Sequence, residues 1–251
     1  MPIDYARSLT TEERTARSDR HLGFALAFIA GATNAGAFLA VGLYTSHMTG
    51  LVSSIADHLA LGEAALALGA LGAVLSFLVG AMASAFMINF ARRRALRSQY
   101  ALPLLLEAAL LLAFGVLGAS LAHVPGLFVP ATVMLLCFMM GLQNAVITKI
   151  SGSVVRTTHL TGVITDLGIE LGRLVYWNRS TRPSNERVVA DRERLKVLAW
   201  LCACFLVGGL SGALGFKHVG YATTLPLAGL LVVMSIVPVF DDLMDTRRRG
   251  S

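Results

Sequence analysis

A chain of 251 residues that is 55% hydrophobic, only 14% charged and +6 in net charge, with a mean hydropathy of +0.68, is too apolar to cover a soluble globule. An average soluble domain is about 25% charged, so a disordered chain, a secreted disulfide scaffold and an ordinary cytosolic enzyme are excluded, and an integral membrane protein is indicated. The basic residues sit between apolar stretches without aromatic interleaving, so they read as topology signals rather than a nucleic-acid footprint, and no nucleic acid is expected.

Residues 1–20 are polar and mixed in charge, and they read as a short cytoplasmic tail rather than the start of a cleaved signal peptide. Crossing the hydrocarbon core takes about 20 apolar residues in a helix. Six stretches meet that length: roughly 22–43, 64–90, 101–122, 127–148, 196–215 and 220–240. Two weaker stretches do not. Residues 51–61 are too short, and 160–177 are interrupted by Asp166, Glu170 and Arg173. Lys and Arg favour the cytoplasmic side. With six crossings and both termini inside, the Arg92–Arg94 and Arg97 cluster, the basic residues from Lys149 to Lys196 and Arg247–Arg249 are all cytoplasmic, and only Lys217 is outside. Residues 178–195 then form the main cytoplasmic loop, and 242–251 a C-terminal tail. Cys137, Cys202 and Cys204 lie in apolar runs and read as buried small hydrophobes.

The chain repeats itself. Gly31, Asn34 and Ala35 match Gly141, Asn144 and Ala145. Downstream, Thr45, His47, Thr49 and Gly50 match Thr157, His159, Thr161 and Gly162, and the match runs on to Leu59 and Leu171. Each copy holds a crossing helix with Asn, a histidine–threonine–glycine loop, a short amphipathic helix and two more crossings. Three crossings per copy is odd, so the second copy enters from the opposite face. The expected fold is all-α and integral to the membrane: six transmembrane helices as a 3+3 inverted repeat, 21–125 and 126–241. Each half carries an extra short helix, re-entrant or interfacial.

The segments Ser46–Gly50, Gly141–Val146, Val155–Gly162 and Thr165–Arg173 resemble the YoaK family of uncharacterised bacterial membrane proteins, and the likeness extends over nearly the whole chain. Where many relatives carry Asn after the first Met-Thr-Gly, this chain has Leu51. The resemblance implies a polytopic protein of the bacterial inner membrane with unassigned activity. It supplies no substrate, cofactor or catalytic residue.

Thr-Gly before an apolar helix suits a helix start, with the Thr hydroxyl capping the first N–H groups. A helix starting within the membrane aims free N–H groups and a positive dipole end at its surroundings. Two such starts, one from each face, would form a shared polar site. Its expected residues are Asn34, His47, Thr49 and Gly50 with Asn144, His159, Thr161 and Gly162. Asp57, Asp166 and Glu170 are the candidates for ion or proton coupling. The plainer alternatives stay beside these. The short helices can lie among headgroups, Glu170 can pair with Arg173 at i+3, and Asn34, Gln143 and Asn144 can simply join helices. Small residues four apart (Gly80/Ser84, Gly208/Gly212, Ser211/Gly215) suggest that the second crossings of the two copies pack on each other.

No zinc-type HExxH, serine elbow or Walker motif occurs. The expectation is therefore a transporter or channel for a small polar or anionic solute, not an enzyme, with neither metal nor cofactor. A structural or regulatory membrane protein is the alternative. The expected partners are the bilayer and the solute, with homo-oligomerisation left open.

Overall fold

The computed structural model describes residues 16–94, 96, 98–120, 125–150, 160–176 and 188–249. Most of the N-terminal tail, Arg97, Arg156, His159 and most of the 178–195 loop lie outside these. Among the described residues there is no strand, and eight α-helices follow in order. They are α1 (Ala16–Val41), α2 (Met48–Ala60), α3 (Ala64–Arg93), α4 (Ala101–Ser120), α5 (Pro125–Ile150), α6 (Leu160–Val175), α7 (Arg192–His218) and α8 (Thr224–Arg249), with a 3-10 turn at Gly220–Thr223 before α8. Five of them, α1, α3, α4, α5 and α7, are long and apolar enough to cross a membrane. The sixth expected crossing carries a shorter apolar stretch, Gly220–Ile236. The chain is thus a multi-pass membrane protein.

Helix ends follow local chemistry. Gly42 (φ 71°) follows α1 and Gly62 (φ 76°) follows α2. Both adopt the left-handed conformation that lets a backbone leave a helix at no steric cost to glycine. Asp191 caps α7, its carboxylate accepting the N–H groups of Glu193 and Arg194 at 3.0 Å.

The helices pair as α1 with α7, α3 with α5, and α4 with α8. Within a bilayer, burying Leu against Leu gains little over lipid, so close backbone approach and polar contacts decide which faces meet. Glycines provide that approach. Gly208 of α7 lies against the Phe28 carbonyl of α1, and Gly31 of α1 against the Phe205 carbonyl of α7. Likewise Gly80 of α3 lies against the Phe138 carbonyl of α5, and Gly141 of α5 against the Phe77 carbonyl of α3. A Cβ at any of these four positions would overlap backbone. Such contacts also permit Cα–H···O=C bonding across the crossing. The two interfaces use the same letters: Phe77–Leu–Val–Gly80 recurs as Phe205–Leu–Val–Gly208, and Phe28/Gly31 stand as Phe138/Gly141 do. In the third pair, Gly115 of α4 meets the Thr224 hydroxyl and Gly118 meets the Tyr221 ring.

This corrects one expectation. The small-residue faces of α3 and α7 do not pack on each other; each packs on the first crossing of the other copy. The small-residue spacing shows where a backbone can come close, and the partner is set by what fills the notch, here a carbonyl three residues before a glycine. As a result α1 and α5 sit at the centre, with 56% and 61% of their apolar windows buried, while α3 and α7, at 22% each, face outward.

Candidate functional site

The loop Leu43–His47 turns the chain from α1 into α2. It is closed by backbone bonds from His47 N–H to Tyr44 C=O (3.0 Å) and from Met48 N–H to Ser46 C=O (3.1 Å). The Asn34 carboxamide, 9% exposed, accepts the Ser46 N–H at 3.4 Å and so ties this loop to α1. The helix starts earlier than the Thr-Gly pair suggests. His47 occupies the cap position and makes no side-chain cap bond, so Thr49 lies inside the first turn rather than capping it. The first-turn N–H groups of α2 are therefore left without a side-chain cap. Gly50 leaves room for the His47 imidazole, since a Cβ there would lie 2.7 Å from Nδ1 and the ring would have to turn.

These residues open onto a cavity of about 820 Å³. Its walls come from both halves of the chain. Asn34, Tyr44, Ser46, His47, Met48 and Thr49 belong to the first half, Leu160, Thr161 and Gly162 to the second, and Phe77 and Phe205 face it from α3 and α7. Matching positions recur across it: Met48 with Leu160, Thr49 with Thr161, Phe77 with Phe205. Phe77 and Phe205 each lie roughly 20 Å along the axis from the first residue of their helix, at 1.5 Å per residue, so the cavity reaches the middle of both spans. The starts of α2 and α6 meet it, presenting two positive helix ends to one space. No described lining residue carries a formal charge with His47 neutral. Hydroxyls, an amide, an imidazole, aromatic faces and the apolar side chains of Met48 and Leu160 make up the wall. A smaller apolar groove of about 380 Å³ between α1 and α7 shares Asn34, Tyr44 and Phe205 with it.

Of the sequence-selected residues, Asn34, His47, Thr49, Thr161 and Gly162 line the cavity, and Gly50 shapes it from behind the imidazole. His159 lies outside the described residues. Asn144 is not brought to the cavity lining; its amide donates to the Met140 carbonyl one turn back at 2.8 Å. Gln143 joins helices, donating to the Leu26 carbonyl of α1 at 3.3 Å.

The three carboxylates are elsewhere. Asp57 is exposed on α2. Asp166 pairs with Arg194 at 2.9 Å. Glu170, 1% exposed, accepts from Arg173 at 2.9 Å, stands 4.0 Å from Arg194, and takes the backbone N–H of Asp191 at 2.9 Å. Asp166 and Glu170 together pin α6 to the start of α7. Sequence reasoning missed Tyr44, Ser46, Phe77 and Phe205 as wall residues. The verbatim repetition of Phe-Leu-Val-Gly was the available signal for the two phenylalanines. Among the described residues, no group of three or more His, Cys, Asp or Glu is gathered as metal ligands would be.

A family model described as "Protein of unknown function (DUF1275)" matches residues 22–237. No curated protein and no solved structure matches the chain.

Proposed function

The chain belongs to the DUF1275 family, proteins of unknown function, and on that premise we propose that it is a transporter or channel for a small polar or anionic solute. The observation carrying this reading is that Thr49 and Thr161, from sequence motifs over a hundred residues apart, line one cavity. Two helix starts and two hydroxyls facing one uncharged space favour an anion or a neutral hydrogen-bonding solute over a cation, which carboxylates would hold. The likeness to the YoaK family is part of the same reading, as is a place in the bacterial inner membrane with both termini cytoplasmic.

We read the architecture as a 3+3 inverted repeat of six crossings. Its support is the doubled interface, in which α1 meets α7 as α5 meets α3. Each glycine-closed pair then moves as a unit, and the cavity between them opens to one face or the other. The short helices α2 and α6 are read as re-entrant, because their first turns line a cavity that reaches mid-span. Uncovered helix ends at that depth are tolerated where they line a cavity. Asp166 and Glu170 serve as structural anchors in this reading, and no catalytic step is part of it.

The test is flux in proteoliposomes across a panel of small anions and neutral polar solutes. The expected result is saturable uptake of one class, lowered at least tenfold by Thr49→Val and by Thr161→Val, with His47→Ala and His159→Ala acting alike. Uptake at wild-type rates in all four variants would remove the cavity from the mechanism. No uptake of any solute, together with stoichiometric capture of a membrane partner, would favour a structural or regulatory protein instead.

A further inference from the structure

Away from the cavity, the end of α3 carries an imbalance of charge. Elsewhere several of the described cations have counter-charges: Arg20 and Lys196 pair with Glu193, Arg173 with Glu170, and Arg194 with Asp166. At the end of α3, Arg92, Arg93 and Arg94 are exposed, and none has a carboxylate partner among the described residues. Lys149 of α5 adds a fourth cation, donating to the Asn89 side chain at 3.1 Å. Arg92 donates to a neutral amide, that of Gln99 at 3.5 Å, and Arg94 lies over the Phe90 ring at 5.4 Å. The preference of Lys and Arg for the cytoplasmic side explains why cations sit at this end. It does not explain why no acid among the described residues pairs with them.

A second feature adjoins the first. Arg92, Arg93 and Asn89 line a cavity of about 540 Å³ whose other described walls are Phe86 and Phe90. Phe86 is 72% exposed, and Met82, Phe86 and Phe90 repeat every four residues along one exposed face of α3, ending at the arginines. A pocket walled by two phenylalanines, an asparagine and two arginines thus sits at the head of an apolar ridge. The negative end of α3, roughly half a charge, is outweighed by three guanidiniums. Paired guanidiniums match phosphate oxygens in bidentate geometry.

We propose that this pocket binds an anionic phospholipid, its phosphate held by Arg92 and Arg93 and its acyl chain lying along Met82, Phe86 and Phe90. The membrane itself supplies this amphiphile, and clusters of Lys and Arg at the end of a membrane helix are established places for such headgroups. The site is separate from the cavity of Asn34 and Thr161, so solute flux and lipid binding are independently testable.

Native mass spectrometry of the detergent-purified protein tests it, with phosphatidylglycerol and phosphatidylcholine of identical acyl chains. The expected result is preferential retention of phosphatidylglycerol. Arg92→Gln with Arg93→Gln should weaken it roughly 25-fold, about fivefold per charge removed. Phe86→Ala should weaken both lipids. Equal retention of the two lipids by the wild type overturns the proposal without any variant. So does unchanged phosphatidylglycerol binding in the double variant with native helicity by circular dichroism. Displacement of the lipid by millimolar inorganic phosphate would show a free-anion site instead and would equally overturn it.

Discussion

Gly80 on the Phe138 carbonyl and Gly208 on the Phe28 carbonyl are one contact made twice. His58 and Glu170 also hold matching places, on α2 and α6, yet they do different work. His58 meets Glu63 at 2.6 Å on an exposed surface, whereas Glu170 is buried and gathers two arginines and a helix-start N–H. The halves are alike where helices cross and unlike where helices end. Crossing geometry must be kept for the two sides to enclose one cavity. The ends face different surroundings, and their charge sets which face is which.

The largest expected effect breaks the likeness at the crossings. Gly80→Leu and Gly208→Leu should each destabilise the protein by about 3 kcal/mol or more, because the new side chain meets a backbone carbonyl that cannot turn aside. Thermal unfolding in detergent reads this, and a loss confined to one of the two would deny that the interfaces are equivalent. Next come the helix ends. Glu170→Ala should cost about 2–3 kcal/mol, leaving the Asp191 N–H without its acceptor and Arg173 without its acid. His58→Ala should cost under about 1 kcal/mol, as exposed pairs do. Equal costs would mean that the ends are as symmetric as the crossings.

A smaller effect concerns α4. Glu107 is fully buried with neither carboxyl oxygen partnered among the described residues. Leu102–Pro–Leu104 of α4 recurs as Leu225–Pro–Leu227 of α8, which sets Leu230 opposite Glu107 in the sequence match. Glu107→Leu should therefore raise stability by about 1–2 kcal/mol, by removing an unsatisfied polar group. A fall in stability would show that the carboxyl has a partner in the working protein. Smallest of all, Gly172→Ala on α6, where a Cβ meets nothing within 4 Å, should gain up to about 1 kcal/mol from helix propensity. It also serves as the control for Gly80 and Gly208.

Most of the helices were legible because apolar runs of membrane-spanning length are rare in any other setting. The bounds of α3 and α6 fall within a few residues of the apolar stretches. The cavity was partly legible through the repeated His-x-Thr-Gly loops, since a motif used twice marks two walls. Three things were not. The helix start at His47 was hidden because a Thr-Gly pair fits both a cap and a first turn. The partner of Gly80 was hidden because a small residue marks close approach without naming the neighbour. The grip of Glu170 on Asp191 spans 21 residues and a charged loop, and no local pattern encodes a contact of that range.

One cavity is lined by both halves of the chain, and a cross-link between its two walls tests this. In a background with Cys137, Cys202 and Cys204 replaced by alanine, Thr49→Cys and Thr161→Cys are combined and treated with a short bifunctional thiol reagent in membranes. The expected result is a cross-link within one chain that forms in high yield and blocks solute flux. Single modification of both cysteines with no cross-link would place Thr49 and Thr161 on separate surfaces and contradict a shared site.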